Sequence, residues 1–188
     1  MPATYWFVSS ALREVTSSST PTLEVGCGAG QYRPHVRGRY VGLDRTAGEY
    51  SQGVARHVDV VADAGALPFR DQTFGTCFCV AVLYQVPLPD VAIREMRRVL
   101  RDNGTLMVFD YNRMTQQQLE RSEQARRPCW TARELRRRMA NAGFRRVRVV
   151  PKFAFAAGFA GVAGRLFAPF LVYWSERQQD WAIVQARK

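Results

Sequence analysis

The chain has 188 residues, 47% of them hydrophobic, and a formal net charge of +11 at neutral pH. That length and apolar content suit one domain spanning residues 1–188 with a real core, and no linker, low-complexity block or internal repeat interrupts it. The positive charge is almost all arginine, since only Lys152 and Lys188 are lysines, and such a skew follows from genome composition as readily as from a polyanionic ligand.

Residues 1–20 read as a helix that begins with Tyr5, Trp6 and Phe7 and runs into a Ser/Thr loop from Thr16 to Thr20. The next stretch, TLEVGCGAG from Thr22 to Gly30, organises the rest. An apolar run containing Leu23 and Val25 leads into Gly26, Gly28 and Gly30 at alternate positions, the pattern of a buried strand that ends in a tight turn with its backbone open to a ligand. The sixth position of a dinucleotide fingerprint is Gln31, and Glu24 stands two residues before the first glycine, where a carboxylate would repel a pyrophosphate. Asp44 ends a second apolar strand, Tyr40 to Leu43, and Asp63 ends a third, His57 to Ala62. Three acids at the carboxyl ends of neighbouring strands form an electronegative crevice suited to a cationic nucleoside.

Between Gly30 and Tyr40 there is room only for a short helix, with Pro34 near its start, and His35 there reads as a solvated surface residue. From Arg45 to Arg56 no helical period appears, so a loop is expected. Thr73 to Leu83 reads as the central strand, apolar on both faces, with Cys77 and Cys79 on one side of it. Tyr84 and Gln85 follow at its carboxyl end, placed either to face a ligand or to close the turn. Pro89 to Leu100 is a helix, and Asn103-Gly104 turns the chain into a strand from Thr105 to Phe109, which delivers Asp110 and Tyr111 to the same edge. A polar helix is expected from Thr115 to Arg127. Thr131 and Glu134 form a capping box for a helix to Ala142, closed by Gly143, and Phe144 to Val150 is the sixth strand. Asp180 to Arg187 supplies the last.

The order LEVGCGAG, YVGLD, DAGALPF, TFGTCFCVAVLYQV, REMRRVLRDNGTLMVFDY and TARELRRRMANAGF, over residues 22–150, resembles the class I S-adenosylmethionine-dependent methyltransferases, most closely the small-molecule type 11 family. The resemblance implies an α/β, Rossmann-like, seven-stranded, mostly parallel sheet with helices on both faces and the last strand antiparallel, here with shortened early helices. It implies S-adenosyl-L-methionine as cofactor. By the same resemblance Glu24 and the loop Gly26, Cys27, Gly28 and Gly30 would hold its methionine part, Asp44 its ribose, and Asp63 with Ala64 its adenine, with Leu83 and Tyr5 also at the cofactor. Residues 1–20 would be a lid helix. Two departures stand out: Gly75 where the family usually has an acid, and Gln85 beside Tyr84 where a histidine commonly follows the strand.

Lys152 to Trp174 is rich in Phe, Ala and Gly, and its glycines and Pro169 make it a poor membrane span. It reads as an insertion that caps an apolar substrate pocket, with core packing, a dimer contact or membrane-surface docking as alternatives. Tyr84, Gln85, Tyr111 and Tyr173 are the residues expected to position an acceptor. The expected activity is methyl transfer to a small, apolar acceptor at O, N or C. A nucleic-acid methyltransferase and a non-catalytic cofactor-binding module are the rivals. The N-terminus shows no secretory signal, and Cys27, Cys77, Cys79 and Cys129 lack zinc spacing, so buried reduced thiols in a cytoplasmic protein, with no metal, are expected.

Overall fold

The computed structural model describes residues 3–47, 49–50, 54–55, 57–111, 130–149 and 181–188. The expected helix Thr115 to Arg127, the segment 152–174, Tyr173 and Cys129 lie outside these residues.

Seven strands form one sheet: β1 (Thr22–Val25), β2 (Tyr40–Asp44), β5 (Val60–Val61), β6 (Phe74–Val80), β7 (Leu100–Tyr111), β8 (Arg145–Val149) and β9 (Trp181–Arg187). Their order across the sheet is β5-β2-β1-β6-β7-β9-β8. β5, β2, β1, β6 and β7 pair in parallel, and β9 runs antiparallel to both β7 and β8. The chain moves outward from β1 through β2 to β5 and then returns to the other side of β1 with β6. That reversal opens a crevice beyond the carboxyl ends of β1 and β6, where open α/β sheets take ligands.

Side chains of alternate residues supply two cores, one on each face of the sheet. Leu23, Val25, Cys77, Cys79, Leu106 and Val108 pack with the buried faces of α2 (Pro89–Val99) and α3 (Ala132–Asn141). Phe78, Met107 and Phe109 point the other way, onto Phe7, Val8, Ala11 and Leu12 of α1 (Ala3–Val15). α2 begins with a proline in its first turn, has Asp90 there and Arg97 and Arg98 in its last, and buries Ala92, Ile93, Met96 and Val99. α3 starts at the expected capping box: Thr131 Oγ1 accepts from the Glu134 amide at 3.2 Å, and the Thr131 amide donates to Glu134 Oε2 at 2.9 Å.

Several boundaries differ from the sequence reading, each for a local reason. β6 stops at Val80 rather than Leu83: Ala81 takes a left-handed φ of 57°, its amide donates to the Phe109 carbonyl, and a 3-10 turn follows over Leu83–Gln85. The expected loop from Arg45 to Arg56 carries a two-stranded antiparallel ribbon, β3 (Glu49–Tyr50) with β4 (Val54–Ala55). Only Val60 and Val61 of the expected third strand join the ladder. β7 begins at Leu100, five residues early, with an irregular register that absorbs the left-handed Asn103. Gly75, where the family pattern has an acid, lies against the Thr20 linker: a Cβ there would sit 2.2 Å from Thr20 Oγ1. The short helix after the glycine turn is a single 3-10 turn over Arg33–His35.

Candidate functional site

The glycine turn joins β1 to that 3-10 turn, and Gly26, Gly28 and Gly30 all have positive φ, at 75°, 51° and 68°. At Gly26 the requirement is double, since a Cβ would also lie 2.3 Å from Val82 Cγ2 in the turn after β6. The two turns that bracket the crevice are therefore in contact at this glycine. The loop is tied through its backbone to β2, with the Gly26 and Cys27 amides donating to the Leu43 carbonyl at 2.7 and 3.0 Å.

Asp44, at the end of β2, reaches back to this loop, and its Oδ2 accepts from the Gly28 amide at 2.9 Å. Asp63 stands just past β5, exposed, with Oδ1 accepting from the Gly65 amide at 2.7 Å; Ala64 follows it, half-buried. Because β5, β2 and β1 are parallel neighbours, these groups and the glycines share one edge of the sheet.

Glu24 is different. It is 1% exposed and lies on β1 opposite Gly42 and Phe78, with its carboxyl accepting a hydrogen bond from Tyr40. Burial pushes its carboxyl up to about 8, against opposing effects of the Tyr40 hydrogen bond and the Arg33 charge. The buried Glu24 carboxyl therefore holds its proton more tightly than an exposed glutamate does. The more accessible acids of this edge are Asp44 and Asp63.

Cys27 is buried beside Gly42, and burial, reinforced by Glu24, Asp44 and Asp59, pushes its thiol up to about 12. It is no nucleophile at neutral pH. Burial likewise raises Cys77 and Cys79, which face the same core.

On the β6 side, Leu83 is fully buried, the Tyr84 amide donates to Asp110 Oδ2 at 3.1 Å, and Gln85 Nε2 donates to the Ala81 carbonyl at 2.9 Å. The Gln85 contact closes the turn. Asp110, 1% exposed at the end of β7, ties that turn to the next strand. Tyr111 ends β7 opposite Trp181 of β9. Tyr5 stacks on Tyr32 with ring centres 5.6 Å apart, and its hydroxyl is 2.7 Å from His35 Nε2. His35, expected as a solvated residue, is half-buried, and Arg13 reaches its Nδ1 at 2.9 Å. α1 is thus fastened to the turn that follows the glycine loop.

The residues that sequence reasoning missed are Tyr40, Arg33 and Asp59. An aromatic residue two positions before a glycine on one strand was the available signal, because both occupy the same face. Among the described residues, no helix is long and apolar enough to cross a membrane, and no group of three or more His, Cys, Asp or Glu could hold a metal ion.

A sheet of this order, with its crevice at the β1/β6 reversal, has the Rossmann-like fold of the class I methyltransferases, and part of the sequence is similar to that family. Residues 23–108 match a methyltransferase domain family. The ubiquinone/menaquinone biosynthesis C-methyltransferase UbiE of Pseudomonas putida strain GB-1 is 36% identical over 86 residues, 45% of this chain and 32% of that enzyme. The match thus spans about a third of the length of that relative. Among solved structures, an S-adenosylmethionine-dependent methyltransferase of Thermotoga maritima superposes with a TM-score of 0.65 at 19% identity, covering 99% of this chain and 91% of that one. The [4+2]-cyclase SpnF superposes with a TM-score of 0.62 at 24% identity, covering 96% and 80%.

Proposed function

We propose that the protein transfers the methyl group of S-adenosyl-L-methionine to a small, apolar acceptor. The observation that carries this reading is the shared edge of β1, β2 and β5, where the glycine turn, Asp44 and Asp63 converge. In this reading the loop Gly26 to Gly30 with Glu24 takes the methionine part, Asp44 the ribose, and Asp63 with Ala64 the adenine, while Leu83 and Tyr5 border the cofactor. The cofactor supplies an activated methyl on a sulfonium. The protein's contribution is to align an acceptor in line with it and exclude water, so proximity is the main catalytic effect and no strong base is required.

Tyr84, Gln85, Tyr111 and Tyr173 are the proposed acceptor-positioning residues; Tyr84 and Gln85 lie in the turn after β6, and Tyr111 ends β7. The apolar segment 152–174 is the proposed cap over the acceptor. Free buried thiols at Cys27, Cys77 and Cys79 suit a reducing, cytoplasmic setting.

A second reading keeps the cofactor and drops the transfer. It is favoured by the likeness to a [4+2]-cyclase, because a fold hosts more than one chemistry. Incubation with S-adenosylmethionine and a panel of small apolar phenols, quinols and carboxylates separates the two. Formation of S-adenosylhomocysteine together with a methylated acceptor supports transfer. Tight cofactor binding with no turnover across the panel supports the second reading.

A further inference from the structure

Tyr40 is set in place from three sides. Its ring folds back along β2 over Gly42, where a Cβ would lie 3.0 Å from both Tyr40 Cε1 and Tyr40 Oη. The glycine is therefore a condition for the ring's position. The Arg33 guanidinium carbon lies 4.5 Å from the ring centre. Arg33 is tied in turn to both carboxylate oxygens of Asp59, at 2.9 and 2.8 Å, and Asp59 Oδ2 also accepts from the Gly42 amide at 2.7 Å. From this seat the phenol crosses to β1 and donates to Glu24. A tyrosine that only packs needs a space; this one has a glycine, a cation and a buried acid arranged around it.

We propose that Tyr40 is a positioning residue that acts through Glu24: its phenol holds the Glu24 carboxyl beneath the glycine loop and sets that loop's preference for a cationic ligand. The proposal rests on the reading of the loop as the S-adenosylmethionine site. The charged and titratable groups around Glu24 are Tyr40 and Asp44 from β2, Arg33 from the 3-10 turn, Cys27 in the loop itself and Cys79 of β6. α1 and β6 pack Phe7, Leu12 and Phe78 on this face, with the Tyr5 hydroxyl beside His35 and the Thr76 hydroxyl donating to the Val15 carbonyl. A hydrogen bond donated by the phenol and the nearby guanidinium both favour the carboxylate, while burial opposes it. When a cation arrives, the carboxyl gives its proton to solvent and meets the ligand as an anion, still held by the phenol.

The test is equilibrium binding of S-adenosylmethionine and of neutral 5′-methylthioadenosine, which lacks both sulfonium and ammonium, to wild type, Tyr40→Phe, Glu24→Gln and the double variant. Losing one hydrogen bond to a charged group should weaken S-adenosylmethionine by on the order of tenfold in Tyr40→Phe. Binding of 5′-methylthioadenosine should not change, and the Tyr40→Phe effect should vanish on the Glu24→Gln background. Affinity of the wild type for S-adenosylmethionine should rise with pH towards about 8, and in Tyr40→Phe the rise should move to higher pH. Arg33→Gln, altering a side chain that is 43% exposed, keeps the phenol and should move the rise the same way, which preserves the test if Tyr40→Phe does not fold. Equal weakening of both ligands, no change in either, an undiminished effect on the Glu24→Gln background, or an unmoved pH profile in Arg33→Gln overturns the proposal. Failure of the wild type to bind either ligand overturns the cofactor reading and this proposal with it.

Discussion

Replacing Gly26 by alanine tests the contact between the two turns that bracket the crevice. Two separate effects act on the new methyl group. Gly26 has a φ of 75°, and a residue with a Cβ in the left-handed region costs about 1–2 kcal/mol. The methyl would also lie 2.3 Å from Val82 Cγ2, so Val82 must shift, and overpacking of this kind costs about 1–3 kcal/mol. Together they destabilise the fold by about 2–5 kcal/mol, a large share of a small domain's stability. Urea unfolding followed by circular dichroism reads the loss. The two parts separate in the variant that also carries Val82→Ala, because truncating Val82 removes the steric part and leaves the backbone part. The cycle should show a favourable coupling of about 1–3 kcal/mol between positions 26 and 82. The reasoning is refuted if Gly26→Ala costs under about 0.5 kcal/mol, or if the two substitutions add without coupling.

Other perturbations probe separate parts of the account. Thr131→Ala removes one half of the capping box and should cost about 1 kcal/mol, with faster amide exchange confined to the first turn of α3. Because Glu24 holds its proton to about 8 in the folded protein but to about 4.5 when unfolded, its contribution to stability is full below pH 4.5 and is lost as pH rises through 8; Glu24→Gln should flatten that decline in a pH series of urea melts. Arg98 clasps Glu95, Asp71 and the Leu67 and Phe69 carbonyls. Arg98→Ala should cost about 2 kcal/mol and raise the sensitivity of residues 64–72 to proteolysis, whereas intact protection there would show the clasp to be ornamental.

Much of the fold was legible because it rests on local patterns. The glycine turn, the apolar run through Cys77 and Cys79, and the Thr131 capping box each declare themselves within a few residues. The structure reproduces the sheet's parallel run with its antiparallel last strand. The missed features depend on register between distant segments. Nothing near Tyr40 reveals that β1 presents Glu24 to its hydroxyl, because that pairing exists only once Glu24 lies opposite Gly42. The early end of β6 at Ala81 depends on the Phe109 carbonyl 28 residues away, and the room at Gly75 on Thr20, 55 residues earlier. The ribbon of β3 and β4 pairs two residues with two, too short to leave a period in the sequence. Glu24 was legible as an acid beside the loop, but its burial against Tyr40, and so its proton, was not.

Isothermal titration of the purified chain with S-adenosyl-L-methionine is the most direct measurement. Saturable binding at one site per chain, weakened by Asp44→Ala and by Asp63→Ala while both variants keep their far-ultraviolet dichroism, is what the convergence of β1, β2 and β5 requires. No binding at millimolar ligand, or binding indifferent to both aspartates, would contradict it.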